Sequence, residues 1–487
     1  MRKRKTPSLA VALVPIFAMI VFLFVGIFMF EADPHVPLLL SAVVATVVAV
    51  YLGYTWREIE KGIIDAVTLS MQALLILMII GTIIGTWIAG GIVPTMIYYG
   101  LDVLSPAYFL PAAAIICSIV AIASGNAWTA AGTIGIAIMG VGAGLGMNMA
   151  MVAGAVISGC YFGDKISPLS ETTNMSPGIT GVELFDHIRY MLLTTIPALI
   201  ISVAIYFFIG QANKGKGAGI EEVTALQQQL SEMFVISPWL LIVPIVVLGL
   251  IAAKTPALPG LVIGSILGAI VAVTVQGVPV GEIFSVMVYG FEMETANEVL
   301  NNLLNNGGTE AMMYTISLVM IAMSFGGILE VSRVLETLVT SLLKLARSTG
   351  SLIATTVATC LTANIVACDQ YLSILLPGRM YVKAYRKRGL HAKNLSRTLE
   401  DAGTMTSPLV PWNTCGAFMA ATLGVSTFQY APYAFLCLIS PMMALLYGFT
   451  GFKIEKLSAE EIARLEAEER EKEEKDEGEI EKVSEAF

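Results

Sequence analysis

Gly163-Asp164-Lys165-Ile166-Ser167-Pro168-Leu169-Ser170-Glu171-Thr172-Thr173-Asn174 interrupts an apolar run with a glycine, a proline and a cluster of oxygen-bearing side chains. A second tract, Thr406-Ser407-Pro408-Leu409, repeats Ser-Pro-Leu 240 positions later. The same offset lays Ser124-Gly125-Asn126 near Asn364 and carries Thr129 onto Asp369. Matched polar breaks at one spacing, both inside apolar sequence, indicate a duplicated membrane protein with helices interrupted at depth. Carriers build their ion and substrate sites at such interruptions.

Composition supports the membrane reading. Of 487 residues 56% are apolar and 13% charged, about half the charge of an ordinary soluble domain. Apolar stretches close to the length that crosses about 30 Å of hydrocarbon recur at Leu9–Phe30, Val36–Leu52, Leu69–Ile88, Ile188–Ile209, Pro238–Ala252, Pro256–Val275, Glu310–Leu329 and Phe428–Phe449. Leu9–Phe30 is too long for a signal-peptide core and has no small-residue cleavage site, so it reads as a retained first helix. The net charge of −9 is mostly local: from Gly451 onward 14 acidic and 7 basic residues give −7, leaving −2 for the rest. That alternating tail, 451–487, reads as a solvated cytoplasmic segment. The six cysteines lie in apolar segments without metal or redox spacing, which fits small core residues. No phosphate-binding loop is present, so nothing supports ATP-driven pumping or another enzymatic role. Neither cofactor nor nucleic-acid binding is expected; the bilayer is the partner.

Basic residues alternate between loops, and this sets orientation. Arg2-Lys3-Arg4-Lys5 places the N-terminus in the cytoplasm, and Lys453 and Lys456 return the last helix there. The polar linker 211–237 is external by count, with Lys214 and Lys216 as exceptions, and Gln276–Glu310 holds five glutamates without a Lys or Arg. The alternation works if 107–146 enters and leaves by one face and 351–384 does the same from the other. Each is long enough for two helical arms meeting at a polar tip, and such backbone is tolerated only inside protein or along an aqueous cavity. The expected fold is therefore an all-α polytopic membrane protein of two inverted repeats, 1–210 and 238–450. Each repeat has about five transmembrane helices, one re-entrant hairpin (107–146 or 351–384) and one central broken helix (148–187 or 393–424).

The residue chemistry points to cations. Hard ions take carboxylate, hydroxyl and carbonyl oxygens, and intramembrane acids default to functional hypotheses. The first break offers Asp164, Ser167, Glu171, Thr172, Thr173 and Asn174; the second offers Thr406, Ser407, Asn413 and Thr414. Asp369 and Gln370 mark one hairpin tip with Asn364, while Ser124, Gly125, Asn126 and Thr129 mark the other. Trp128 reads as packing. Glu400 and Asp401, close to the basic cluster Lys383–Arg397, read equally well as interfacial salt-bridge partners. Arg379 is open to three roles: pairing Asp369, snorkelling to the cytoplasmic face, or binding a substrate carboxylate.

Gly163–Asn174, Asp369-Gln370-Tyr371-Leu372, Leu376–Met380 and Leu399–Ala417 together resemble the signature of the NhaC family of sodium/proton antiporters. The resemblance runs from about residue 10 to 450. It implies Na+ export against H+ entry across the cell (inner) membrane. It also implies membership of the wider ion transporter superfamily, whose members are often homodimers with an elevator-type transport domain. The first tip departs from the family's Gly-Thr-Ser-Trp-Gly-Thr, reading Gly125-Asn126-Ala127-Trp128-Thr129-Ala130. The family includes relatives that exchange malate with sodium for lactate with protons. The leading expectation is thus a Na+/H+ antiporter working by alternating access, and the alternative a sodium-coupled exchanger of small carboxylates.

Overall fold

A chain that crosses hydrocarbon must satisfy its backbone within each segment, and this sequence does so with helices. The computed structural model describes residues 4–212, 219–295, 297, 300–301, 304–458 and 461–462. Arg2, Lys3, Lys214, Lys216, Glu298 and most of the tail lie outside them. The first half runs α1 (Leu9–Phe24, extended by a π-turn, Val25–Met29), α2 (His35–Tyr51), α3 (Trp56–Leu69), α4 (Met71–Ala89), α5 (Ile92–Val103) and α6 (Pro106–Ser124). Then come α7 (Ala127–Ala130), a π-turn (Ala131–Gly135), α8 (Ile136–Gly144), α9 (Met149–Ile166), α10 (Glu171–Thr180), α11 (Leu184–Ala212) and α12 (Ile220–Met233). The second half holds α13 (Ile242–Ala252), α14 (Ala257–Thr274), α15 (Val280–Tyr289), α16 (Thr309–Val331), α17 (Val334–Leu343), α18 (Thr349–Val366) and α19 (Gln370–Lys387). It closes with α20 (Ala392–Leu399), a π-turn (Glu400–Thr404), α21 (Thr414–Leu423) and α22 (Phe435–Thr450). Among the described residues there is no strand, only isolated bridges such as Phe291 to Asn306.

Eight of the described helices are long and apolar enough to cross a membrane, or up to ten when two bent pairs count as one span each. Phe17, Phe24 and Ile20 on α1 are exposed, as expected of side chains whose solvent is lipid. All six cysteines are buried and free. Residues 220–233 of the expected linker form α12, whose Leu226 and Leu230 are buried at helical i,i+4 spacing while Gln227 donates to the Tyr98 carbonyl at 3.0 Å. Polarity alone hid that amphipathic face. The interruptions fall where proline, glycine and polar residues oppose a continuous helix: 125–126, 167–170, 367–369 and 410–413.

Small residues let α6 and α9 lie side by side, which brings the first tip onto the first break. A Cβ on Gly159 would sit 2.2 Å from the Ala114 carbonyl oxygen. At the tip, Gly125 has φ +69°, and a Cβ there would meet the Leu169 Cβ at 2.5 Å. Replacing Gly159 with Leu should therefore cost about 1–3 kcal/mol or more through overpacking, read as a lower melting temperature in detergent. Gly178→Ala, at a position with nothing within 4 Å, is the control and should leave the melt within experimental scatter.

Candidate functional site

The first break begins at Ser167, whose extended backbone (ψ 128°) is what a following proline imposes. Thr173 Oγ1 donates back to the Asp164 and Lys165 carbonyls at 3.1 and 2.9 Å. Asn174 Nδ2 donates to the Pro168 carbonyl at 2.9 Å, and Ser167 Oγ to the Ile122 carbonyl on α6 at 2.9 Å. Ser170 caps α10 by accepting from the Thr173 amide at 3.4 Å. The neighbouring tip turns through Gly125 into Asn126, whose Oδ1 accepts from the amides of Trp128 and Thr129 at 2.9 and 3.0 Å.

The second tip and second break interlock in the same manner. Cys368 adopts φ +61°, and Asp369 caps α19 by accepting from the Leu372 amide at 3.1 Å. Asn364 Nδ2 donates to the Gly403 carbonyl at 2.7 Å and to Thr406 Oγ1 at 2.9 Å. Asn413 caps α21 and donates to the Asn364 carbonyl at 3.1 Å, while the Thr414 amide donates to the Cys368 carbonyl at 3.0 Å. Ser407 Oγ donates to the Thr404 carbonyl at 2.7 Å.

Both tips and both breaks meet at one cavity of about 300 Å³. The first break contributes Asp164, Ser170, Glu171 and Thr172, and the first tip Asn126 and Trp128. The second tip contributes Asp369, Gln370 and Tyr371, and the second break Thr414 and Cys415. A further wall, from Leu69 to Ile76, comes from α3, α4 and the turn between them and includes Ser70 and Gln72. Asp369 Oδ2 accepts from Thr414 Oγ1 at 3.4 Å. Glu171 accepts from Gln72 Nε2 at 3.1 Å and from the Tyr371 hydroxyl at 2.5 Å, so it joins the wall to the second hairpin. Asp164 and Asp369 are buried and Glu171 is exposed. The three acids share the cavity without forming a ready-made metal cluster among the described residues. A cation here would use single carboxylates completed by neutral oxygens, which suits a weakly held alkali ion.

The expected site residues thus divide. Asp164, Glu171, Thr172, Asp369, Gln370, Thr414 and Asn126 line the cavity. Ser167, Thr173, Asn174, Thr406, Ser407, Asn413, Asn364, Ser124 and Gly125 build its frame through the bonds and turns above; Ser124 Oγ, for instance, donates to the Asn126 carbonyl at 3.3 Å. Thr129 is fully buried, and its hydroxyl has no partner among the described residues. Arg379 is exposed and off the lining, so the pairing with Asp369 does not form. Glu400 and Asp401 are both fully buried. Asp401 forms an ion pair with Lys165, and Ser440 and Thr194 donate to the same carboxylate oxygen at 2.9 and 3.0 Å. Glu400 accepts from Ser176 and Thr404, both at 2.6 Å. Sequence reasoning missed Gln72 and Tyr371; the signal for Gln72 was a lone amide in the apolar run of α4.

A family model described as the Na+/H+ antiporter family matches residues 159–452, which begins within α9 and takes in both breaks and the second hairpin. The chain belongs to the Na+/H+ antiporter family. Among its relatives, the Na(+)/H(+) antiporter NhaC of Alkalihalophilus pseudofirmus is 41% identical over 94% of this chain and 98% of its own length. The Malate-2H(+)/Na(+)-lactate antiporter of Bacillus subtilis is 39% identical over 85% and 88%. The Arginine/ornithine antiporter ArcD of Halobacterium salinarum is 39% identical over 94% and 95%. The names of these relatives state cargoes of different chemistry.

Behind that lining, Lys165→Met should destabilise the fold by about 3–5 kcal/mol, because it leaves Asp401 buried and unpaired. The double variant Lys165→Met with Asp401→Leu should recover most of the loss. Thermal unfolding of the purified variants checks this, and a double variant no more stable than Lys165→Met contradicts a paired role.

Proposed function

We propose that the protein exchanges Na+ for H+ by alternating access, with Asp164 and Asp369 as the exchangeable carboxylates. The observation that carries this reading is the convergence of both tips and both breaks on one cavity whose charged lining is entirely acidic among the described residues. Hydroxyls of Ser170, Thr172 and Thr414 and the amide oxygen of Gln370 complete the oxygen supply for a hard cation. Na+ and H+ compete for the same carboxylate, and only a loaded site switches face, so coupling follows from mass action.

The wider reading comprises inverted repeats with re-entrant hairpins, an elevator-type movement, a homodimer in the cell membrane and cytoplasmic termini. It is supported by paired breaks at equal sequence spacing, by loop charge and by the family. A small-carboxylate cargo, as in the malate/lactate relative's name, needs a cation to receive it. Among the described residues the lining has none: Lys165 is tied to Asp401, and Arg379 lies off the cavity. The lining therefore favours the inorganic cation.

In inverted vesicles, Asp164→Asn and Asp369→Asn should each abolish the Na+-dependent dissipation of an imposed pH gradient. Full activity in Asp164→Asn contradicts the assignment. In the unaltered protein, half-saturating Na+ should rise about tenfold per unit fall in pH once the carboxylate is mainly protonated, since metal binding requires the deprotonated ligand. Labelled malate uptake into Na+-loaded vesicles separates the two cargoes, and robust uptake overturns the cation-only reading.

A further inference from the structure

A second cavity, of about 330 Å³, lies at the far end of α9 from the first. Its walls include Met149 at the start of α9, Ile136 and Met139 on α8, and Thr422 and Leu423 at the end of α21. It shares Met149, Gly424 and Val425 with a wider depression that also takes in Asn148 and Gln429. Asp164, at the other end of α9, lines the first cavity. Fifteen residues of helix separate Met149 from Asp164, which is about 22 Å at 1.5 Å per residue. The two cavities therefore lie near opposite ends of α9.

The same two elements connect them. On α21, Thr414 faces the first cavity and Thr422 the second, with Phe418 midway at i+4 spacing. On the opposing arm of the first hairpin, Trp128 faces the first cavity, and Ile136 and Met139 face the second. Trp128 and Phe418 stack with ring centroids 4.1 Å apart and planes 14° from parallel. α4 packs against α21 from the third side, and a Cβ on Gly132 would meet its Ile80 Cδ1 at 2.7 Å. Two buried hydroxyls have no partner among the described residues: Thr129 Oγ1, next to Trp128 in the chain, and Thr422 Oγ1, at the second cavity. Buried hydroxyls left unpaired are costly, and a passage that is wet in another state gives them partners. The π-turn Ala131–Gly135, which follows α7 and its Trp128, is the kind of local irregularity found at functional sites.

We propose that the two cavities are the two ends of one cation passage along α7–α8 and α21, and that the Trp128–Phe418 stack is its seal. The stack keeps a site open to one face from leaking to the other, and its separation or sliding past α4 exposes the ion to the second cavity, with Thr422 as a stop on the way out. This inference rests on the reading that the chain carries a cation across the membrane.

Two measurements test it. A charged, membrane-impermeant methanethiosulfonate is applied to right-side-out and inverted vesicles carrying Gln72→Cys or Thr422→Cys, with the unaltered protein as the blank for native cysteines. Gln72→Cys should react from one face and Thr422→Cys from the other. Thr422→Cys inert from both faces, or reactive from the same face as Gln72→Cys, overturns the passage. Second, Phe418→Ala and Trp128→Ala should raise downhill radioactive Na+ flux at zero pH gradient at least tenfold, while Phe418→Tyr and Trp128→Phe restore tightness. Unchanged flux in both alanine variants, each recovered folded from the membrane, overturns the seal. If an alanine variant does not fold, the labelling pair decides, because it leaves the stack intact. Loss of Na+/H+ exchange in the unaltered protein with opposite-face labelling retained would refute the proposed cargo and keep the passage.

Discussion

Backbone carbonyls and amides released inside an apolar bundle must find partners, and that requirement shapes most of this molecule. An unpaired polar group away from water costs kilocalories, and four interruptions meet within one region here. Each is closed by side chains of a neighbouring element. Thr173 returns to the carbonyls at the end of α9. Trp412 Nε1 donates to the Ile365 carbonyl at 2.8 Å, and the Tyr430 hydroxyl to the Pro408 carbonyl at 2.6 Å. Because these partners reach from one interruption or its neighbours to another, satisfying the backbone also fixes tips and breaks relative to each other. The cavity is the space left between elements tied in this way.

Charge placement is set by helix geometry. Successive residues on a helix point about 100° apart, so Asp164 and Lys165 at the end of α9 face different surroundings. Asp164 lines the cavity, whereas Lys165 points into the bundle and meets Asp401 on the second broken segment. Burying an ion pair is a poor source of net stability, because desolvation offsets the attraction. Its effect here is positional. It links the first break to the second and withdraws the nearest lysine from the cavity, leaving an acidic lining for a cation to neutralise.

The interruptions were legible in the sequence because glycine, proline and polar clusters are rare in apolar runs of this length. Ser124-Gly125-Asn126 and the stretch from Asn364 to Gln370 fall at helix ends, and Ser167–Ser170 separates α9 from α10. What the one-dimensional pattern lacked was the direction of each side chain. Thr173 and Thr172 are adjacent and chemically alike, yet one caps backbone and the other lines the cavity. Asp401 read equally well as an interfacial salt-bridge partner because a basic cluster lies near it in sequence, while the lysine it pairs with is 236 positions away. The wall supplied by α3 and α4 was equally hidden, since Gln72 acquires meaning only when Glu171 and Tyr371 are brought beside it.

Two π-turns adjoin the site, Ala131–Gly135 after the first tip and Glu400–Thr404 before the second break's Ser-Pro-Leu. Each inserts a residue into a helical turn and so rotates the two flanking stretches of helix relative to one another. In the first, the rotation lets Trp128 address the cavity while α8 packs on α5. In the second, it turns Asp401 toward Lys165 and Glu400 toward Ser176. Irregular backbone next to the cavity thus turns Glu400 and Asp401 into the bundle, where each ties the second broken segment to the first, while Asp164 at the end of α9 lines the cavity.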